Sequence, residues 1–224
     1  MDIESSIDIA WVNYMIRLID LEYKDTFGAW KPIENGSGNK LHWRAYEGTT
    51  NRLFRIEMNM KCTMDSLINL LHYHLLPRHK EWNDTFEGGE VITKFNSNHS
   101  VQYWSYSPGC PFGDRDFLVE RLKVDKGHGA VMLIDRSLDH ASQPVASCCV
   151  AGYVRCDLPI NVRMLEPRED GTVQFTYMNL TRLRGTVPNW FANMMNPKVI
   201  AEEVKAIKEI CEAECVASGE EKTT

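Results

Sequence analysis

Asn189-Trp190-Phe191-Ala192-Asn193-Met194-Met195-Asn196-Pro197-Lys198-Val199-Ile200, running on through Val204, Ile207 and Cys211, is the stretch on which the fold turns. Over residues 187–215 the apolar positions Trp190, Phe191, Met194, Met195, Val199, Ile200, Val204, Ile207 and Cys211 recur at three- and four-residue spacing, which gives a long helix with one continuous apolar stripe. Lys198, Glu202, Lys205, Lys208 and Glu212 fall on the other face. Pro197 lacks the N–H that a helix interior uses, so a kink or restart is expected there. A stripe of this length needs a broad apolar surface to lie on.

The chain before it supplies one. Residues 41–46 and 53–60 alternate with period two, as half-buried strands do. Further strand-like runs cover 90–96, 100–106, 116–123, 130–137, 146–156, 161–166 and 173–180, joined by short turns such as Asp170-Gly171. Strands linked this closely pair antiparallel. An amphipathic helix is expected over residues 7–23. A second helix starts at the N-cap Thr63, carries Met64, Leu67, Ile68, Leu71 and Leu75, and ends at Pro77. The fold class is therefore α+β: a curved antiparallel sheet closed by a long C-terminal helix around an internal cavity, the usual setting for an apolar ligand. One domain over 1–216 with a polar, disordered tail over 217–224 is the expected organisation.

Composition narrows the function. The 224 residues carry a formal net charge of −6, and no basic run occurs, which argues against a nucleic-acid partner. No apolar run reaches the length of a transmembrane helix, and the start Met1-Asp2-Ile3-Glu4 is acidic where a secretory signal is basic. The seven cysteines include no C-x-x-C pair. An odd count without that spacing speaks for reduced thiols, a cytoplasmic location and no zinc ribbon. His72 and His74 are two apart, a spacing that does not converge on a helix, so no metal site or cofactor is expected. No G-x-S-x-G elbow or phosphate loop is present.

Four further stretches fall in order. They are His79-Lys80-Glu81-Trp82-Asn83, Gly113-Asp114-Arg115-Asp116-Phe117-Leu118, Gly152-Tyr153-Val154-Arg155 and Gly185-Thr186-Val187-Pro188-Asn189-Trp190-Phe191. Together they resemble the StAR-related lipid-transfer (START) domain family, over about residues 30–210. The resemblance implies a helix-grip fold whose tunnel binds one lipid, with the C-terminal helix as its gate. The implied activity is carriage or sensing of a lipid between membranes without chemistry. The alternative is an enzyme on the same scaffold, a cyclase or hydrolase with an enclosed apolar substrate.

The resemblance directs Gln102, Trp104 and Tyr106 on one strand, and Phe117, Val119 and Arg121 on the next, toward the cavity. Tyr177 and the helix residues Trp190, Phe191, Met194 and Met195 complete the expected ligand set. Arg121 matches the family's interior arginine, but the position that carries an acid in sterol-binding members is Gln102 here. A buried arginine needs a partner. Arg121 is thus read as a contact for the ligand's head group or as half of a structural ion pair, and Gln102 is expected within its reach directly or through water. Trp104 matches an aromatic of the phosphocholine-binding members, whose arginine and aspartate are His79 and Asn83 here. The lipid class stays open among phospholipid, sterol, sphingolipid and fatty acid. Arg115 and Asp116 point to opposite faces of a strand and read as structural. Arg182, Leu183 and Arg184 form a loop beside the cavity mouth. It is read as a transient contact with an anionic membrane surface or as an ordinary solvated turn.

Overall fold

The structure is a computed structural model and describes residues 13–14, 16–17, 30–34, 40–46, 48–110, 112–138 and 152–219. Ten strands form one sheet: β1 (Lys31–Ile33), β2 (Lys40–Ala45), β3 (Arg52–Met60), β4 (Phe86–Asn96), β5 (His99–Tyr106), β6 (Arg115–Gly127), β7 (Ala130–Ser137), β8 (Val154–Arg155), β9 (Asp157–Pro167) and β10 (Val173–Arg182). Their order is β1-β2-β3-β10-β9-β7-β6-β5-β4, antiparallel throughout, with β8 attached to β6. That last pairing is parallel, Arg115 opposite Val154, on a sheet that is otherwise antiparallel as expected. Of the strand expected over 146–156, residues 146–151 lie outside the described residues, as does most of the helix expected over 7–23.

Period-two alternation sorts the sheet into two faces. Phe54, Ile56, Leu133, Leu165, Phe175 and Tyr177 belong to the cluster that meets the C-terminal helix. Leu53, Met132, Ile134, Val162, Met164 and Met178 form a second cluster on the opposite face, against which Ile16 packs.

Between β3 and β4 the chain makes α1 (Met64–Ile68), a π turn (Asn69–Tyr73), α2 (Leu75–Arg78) and a 3-10 turn (His79–Glu81). Thr63 caps α1 as expected, its Oγ1 accepting from the Ser66 N–H at 3.1 Å. Pro77 does not end the segment. It sits in the first turn of α2, where its missing N–H would have no intrahelical acceptor.

The C-terminal helix, α3 (Asn189–Ala217), starts after Pro188 and runs as one element through Pro197, with no restart there. Ile200, Val204, Ile207, Cys211 and Cys215 are buried against the sheet and α1. Three fully buried aliphatics at about 1.5–3 kcal/mol each make this contact a main source of adhesion for the helix. At its N-terminal end the anchors are polar: Asn193 accepts from the Arg52 N–H at 2.9 Å and donates to the Thr50 carbonyl at 2.9 Å.

Candidate functional site

The α3-facing side of the sheet carries a row of polar residues that its apolar alternation does not require. Arg121 on β6 stands opposite Asp135 on β7, Asp135 opposite Asn161 on β9, and Arg163 on β9 opposite Tyr177 on β10. Asp135 lies between two guanidinium groups, 3.1 Å from Arg121 Nη1 and 3.0 Å from Arg163 Nη1, and is fully buried. Arg163 in turn reaches Glu203 of α3 at 3.3 Å, and its guanidinium lies over the Tyr177 ring at 4.6 Å. Arg121 also donates to the carbonyl of Leu71 in the π turn. Two arginines thus balance two acids, the arrangement that makes buried charge tolerable.

Burial sets the electrostatics. It raises the Glu203 carboxyl above the usual range, against the opposing pull of Arg163. It lowers Arg121 against the support of Asp135. Burial also acts to lower Arg163, but Tyr177, Glu203 and Asp135 outweigh it and hold the guanidinium firmly charged.

A cavity of about 300 Å³ opens between this row and α3. Its walls include Trp104, Tyr106, Phe117, Leu158, Tyr177, Met195 and Ile200, and its polar lining includes Arg163, Glu203, Asn161, Asn179 and Thr181. Asn179 donates to the Tyr177 hydroxyl at 3.2 Å and accepts from Thr181 Oγ1 at 2.9 Å. At one end stands His79, 3 % exposed, in a box of aromatic rings. It stacks on Phe86 at 4.3 Å and Trp82 at 5.1 Å and meets Tyr106 and Trp104 edge-on at 5.7 and 6.0 Å. Burial, with Arg163 and Arg121 nearby, depresses its basicity far enough to keep the imidazole neutral. Its Nδ1 has no hydrogen-bond partner.

The structure brings Trp104, Tyr106, Phe117, Tyr177 and Met195 to the cavity wall. Gln102, Val119 and Arg121 face the same side but are packed behind it. Arg121 takes Asp135 as its partner, while Gln102 is spent on Ser100 Oγ at 3.1 Å and the Trp104 indole at 3.0 Å. The acid comes from the strand on the other side of β6 from Gln102. Phe191 is half-buried against Phe112, with ring centroids 5.4 Å apart. Trp190 and Met194, expected to line or cap the cavity, are 68 % and 48 % exposed and are not among its lining residues. They lie on the outward side of a turn whose Ala192 is buried and whose Met195 lines the cavity. In the loop, Leu183 lines the cavity and Arg184 is held by Asp157 at 2.7 Å. Asp116 accepts a two-pronged ion pair from Arg155, with both contacts at 2.9 Å, a structural role as expected.

Asp135, Arg163, Glu203 and His79 were absent from the expected set. A signal for three of them exists. Asp135 continues the inward phase of Val131 and Leu133, Arg163 shares the phase of Leu165, and Glu203 falls three residues after Ile200 and four before Ile207. A charge in an apolar phase is a buried charge in need of a partner.

The START domain family model matches residues 23–216, and the chain belongs to this family. Rho GTPase-activating protein 7 of Rattus norvegicus is 25 % identical over 186 residues, which are 82 % of this chain and 16 % of that protein. The chain therefore matches about a sixth of that relative's length. Among solved structures, human StAR-related lipid transfer protein 5 superposes with a TM-score of 0.76 at 18 % identity, covering 91 % of this chain and 96 % of the other. The lipid transfer and protein localization domain of human StarD13 gives 0.70 at 21 % identity, covering 88 % and 96 %. A STAR-related lipid transfer protein fragment from Xanthomonas axonopodis gives 0.69 at 22 %, covering 82 % and 98 %. These likenesses define the fold: a curved antiparallel sheet gripping a C-terminal helix, not closed into a barrel. No helix among the described residues is long and apolar enough to cross a membrane.

Proposed function

We propose that this domain takes one hydrophobic lipid into the cavity under α3 and carries it between membranes in the cytoplasm, without chemistry. The carrying observation is the cavity itself, apolar on most of its wall and roofed by a single helix. Removing apolar ligand surface from water gains about 0.8 kcal/mol per buried methylene, so shape and burial suffice for binding. Two features support carriage over catalysis. Glu203 is committed to Arg163, and Asp135 lies behind the wall between two arginines, so neither acid is free to move a proton on a substrate.

The polar end also speaks to the cargo. Arg163 is balanced there by Glu203, and the neutral imidazole of His79 offers a buried nitrogen with no hydrogen-bond partner. Such an end suits an uncharged hydroxyl or carbonyl better than a phosphate. A volume of about 300 Å³ is at the low end of the range of ligand pockets, roughly 300–1,000 Å³, and favours a single-chain or ring lipid. At the membrane, the exposed Trp190, Met194 and Val199, with Lys198 between them, form the contact together with Arg182, Leu183 and Arg184. Pairing of Arg184 with Asp157 takes charge out of that loop, so the apolar side chains carry most of the contact.

The test is extraction of the purified protein followed by mass spectrometry, with vesicle-to-vesicle transfer of the species found. One lipid at about one per protein, transferred intact, is the expected result. A converted product would replace the carrier with a helix-grip enzyme.

A further inference from the structure

Cys211 and Cys215 are one turn apart on the inner face of α3, and both are buried. Facing them is Cys62, buried in the turn between β3 and α1. The side chains of Cys62 and Cys211 interact across this seam. A backbone contact fixes the two segments side by side: the Lys61 N–H donates to the Glu212 carboxylate at 2.8 Å. Filling a core gap needs small apolar groups and gives no reason for two sulfurs to face each other across a helix–sheet seam. All three thiols belong to the core cluster under α3 and touch neither the cavity nor its polar row.

We propose that Cys62 and Cys211 are an oxidisable pair whose disulfide clips the C-terminal third of α3 to the end of β3. The oxidant is a peroxide. One thiolate of the pair attacks a peroxide oxygen, the O–O bond breaks, and hydroxide leaves and takes up the thiol's proton as water. The second thiolate then attacks the resulting sulfenic sulfur, the S–O bond breaks, and the departing hydroxide takes up the second thiol's proton as a second water. Two thiols lose two electrons and hydrogen peroxide gains them. Contact with Cys211 and burial push the Cys62 thiol well above its ordinary range, so the pair is unreactive while the helix is seated. It oxidises as the end of α3 loosens and then holds that end in place. The functional consequence rests on the carrier reading, in which α3 must move to admit lipid. The crosslink does not.

The experiment uses the full chain with Cys110→Ser, Cys148→Ser and Cys149→Ser, treated with hydrogen peroxide and compared with its dithiothreitol-reduced form. Non-reducing peptide mapping should show Cys62 joined to Cys211, and Cys62→Ala or Cys211→Ala should abolish that peptide. Closing so long a loop should raise Tm by roughly 5–15 °C. Transfer of a fluorescent fatty acid or a fluorescent sterol between phosphatidylcholine vesicles should slow about tenfold and recover on reduction. No linked peptide, or one joined through Cys215 instead, overturns the pair. A crosslink with unchanged transfer in a protein that transfers when reduced overturns the clip. If the reduced protein moves neither cargo, the carrier reading fails, and the peptide map and Tm still decide the pair.

Discussion

Replacing Asp135 by Asn removes the charge that two buried arginines share while keeping the side chain's volume. At 3.1 and 3.0 Å, each contact is worth about 5 kcal/mol of Coulomb energy at an effective dielectric of ~20. Most of that offsets desolvation already incurred, and breaking a buried pair costs about 3–5 kcal/mol net. Against a total stability of about 5–15 kcal/mol, the single variant should be close to unfolding at 37 °C. Arg121→Met alone leaves Asp135 paired with Arg163 and should cost less. Because Arg121 is packed behind the wall, that change should also leave the bound lipid unaltered, contrary to a head-group role. The double variant leaves Arg163 balanced by Glu203 and should recover at least about 2 kcal/mol relative to the sum of the singles. Urea unfolding of all four proteins at constant m-value measures the cycle. Additivity within about 0.5 kcal/mol would refute the reasoning, because it would mean that the charges do not sense one another.

Three other outcomes are expected. His72 is held at about 4, below its ordinary 6.5, by burial and by Arg121, so its contribution is complete above pH 6.5 and lost as pH falls toward 4. The loss is about 3 kcal/mol at most, and His72→Gln should flatten that part of the urea-midpoint pH profile. In Gly89→Ala the new Cβ would meet the Tyr103 carbonyl oxygen at 2.6 Å and Leu76 Cδ2 at 2.8 Å, which should cost about 1–3 kcal/mol in thermal unfolding. Trp190→Ser with Met194→Ser should slow vesicle transfer while leaving ligand affinity and Tm nearly unchanged, since both side chains are exposed and off the cavity wall.

The elements that the sequence revealed were those whose periodicity one partner explains. Strand alternation and the stripe from Ile200 to Cys211 each record a single apolar surface, and both were placed correctly. Trp190 and Met194 extend the same spacing, yet they lie at the stripe's edge and face solvent while Ala192 and Met195 beside them turn inward. The polar row failed for a related reason. Arg121, Asp135, Arg163 and Glu203 sit on four separate elements, and their pairing depends on strand order β10-β9-β7-β6, which no local window holds. His79 stands in the sequence only as the first residue of the His79–Asn83 stretch, because its aromatic box is assembled from α2's exit, β4 and β5.

The register between β3 and β10 bears on how the chain is made. Glu57 stands opposite Thr176, so an early strand in the middle of the sheet waits for one of the last. At about 5–20 residues per second, the ribosome leaves that edge of β3 open for roughly 6–24 s after it emerges. Leu53, Phe54 and Ile56, all fully buried in the finished domain, are exposed in the nascent one for that time. A hairpin with β2 protects one side only. Holdase chaperones should therefore raise the yield of the newborn chain until β10 arrives, and that yield should depend on elongation rate more than on the stability of the folded protein.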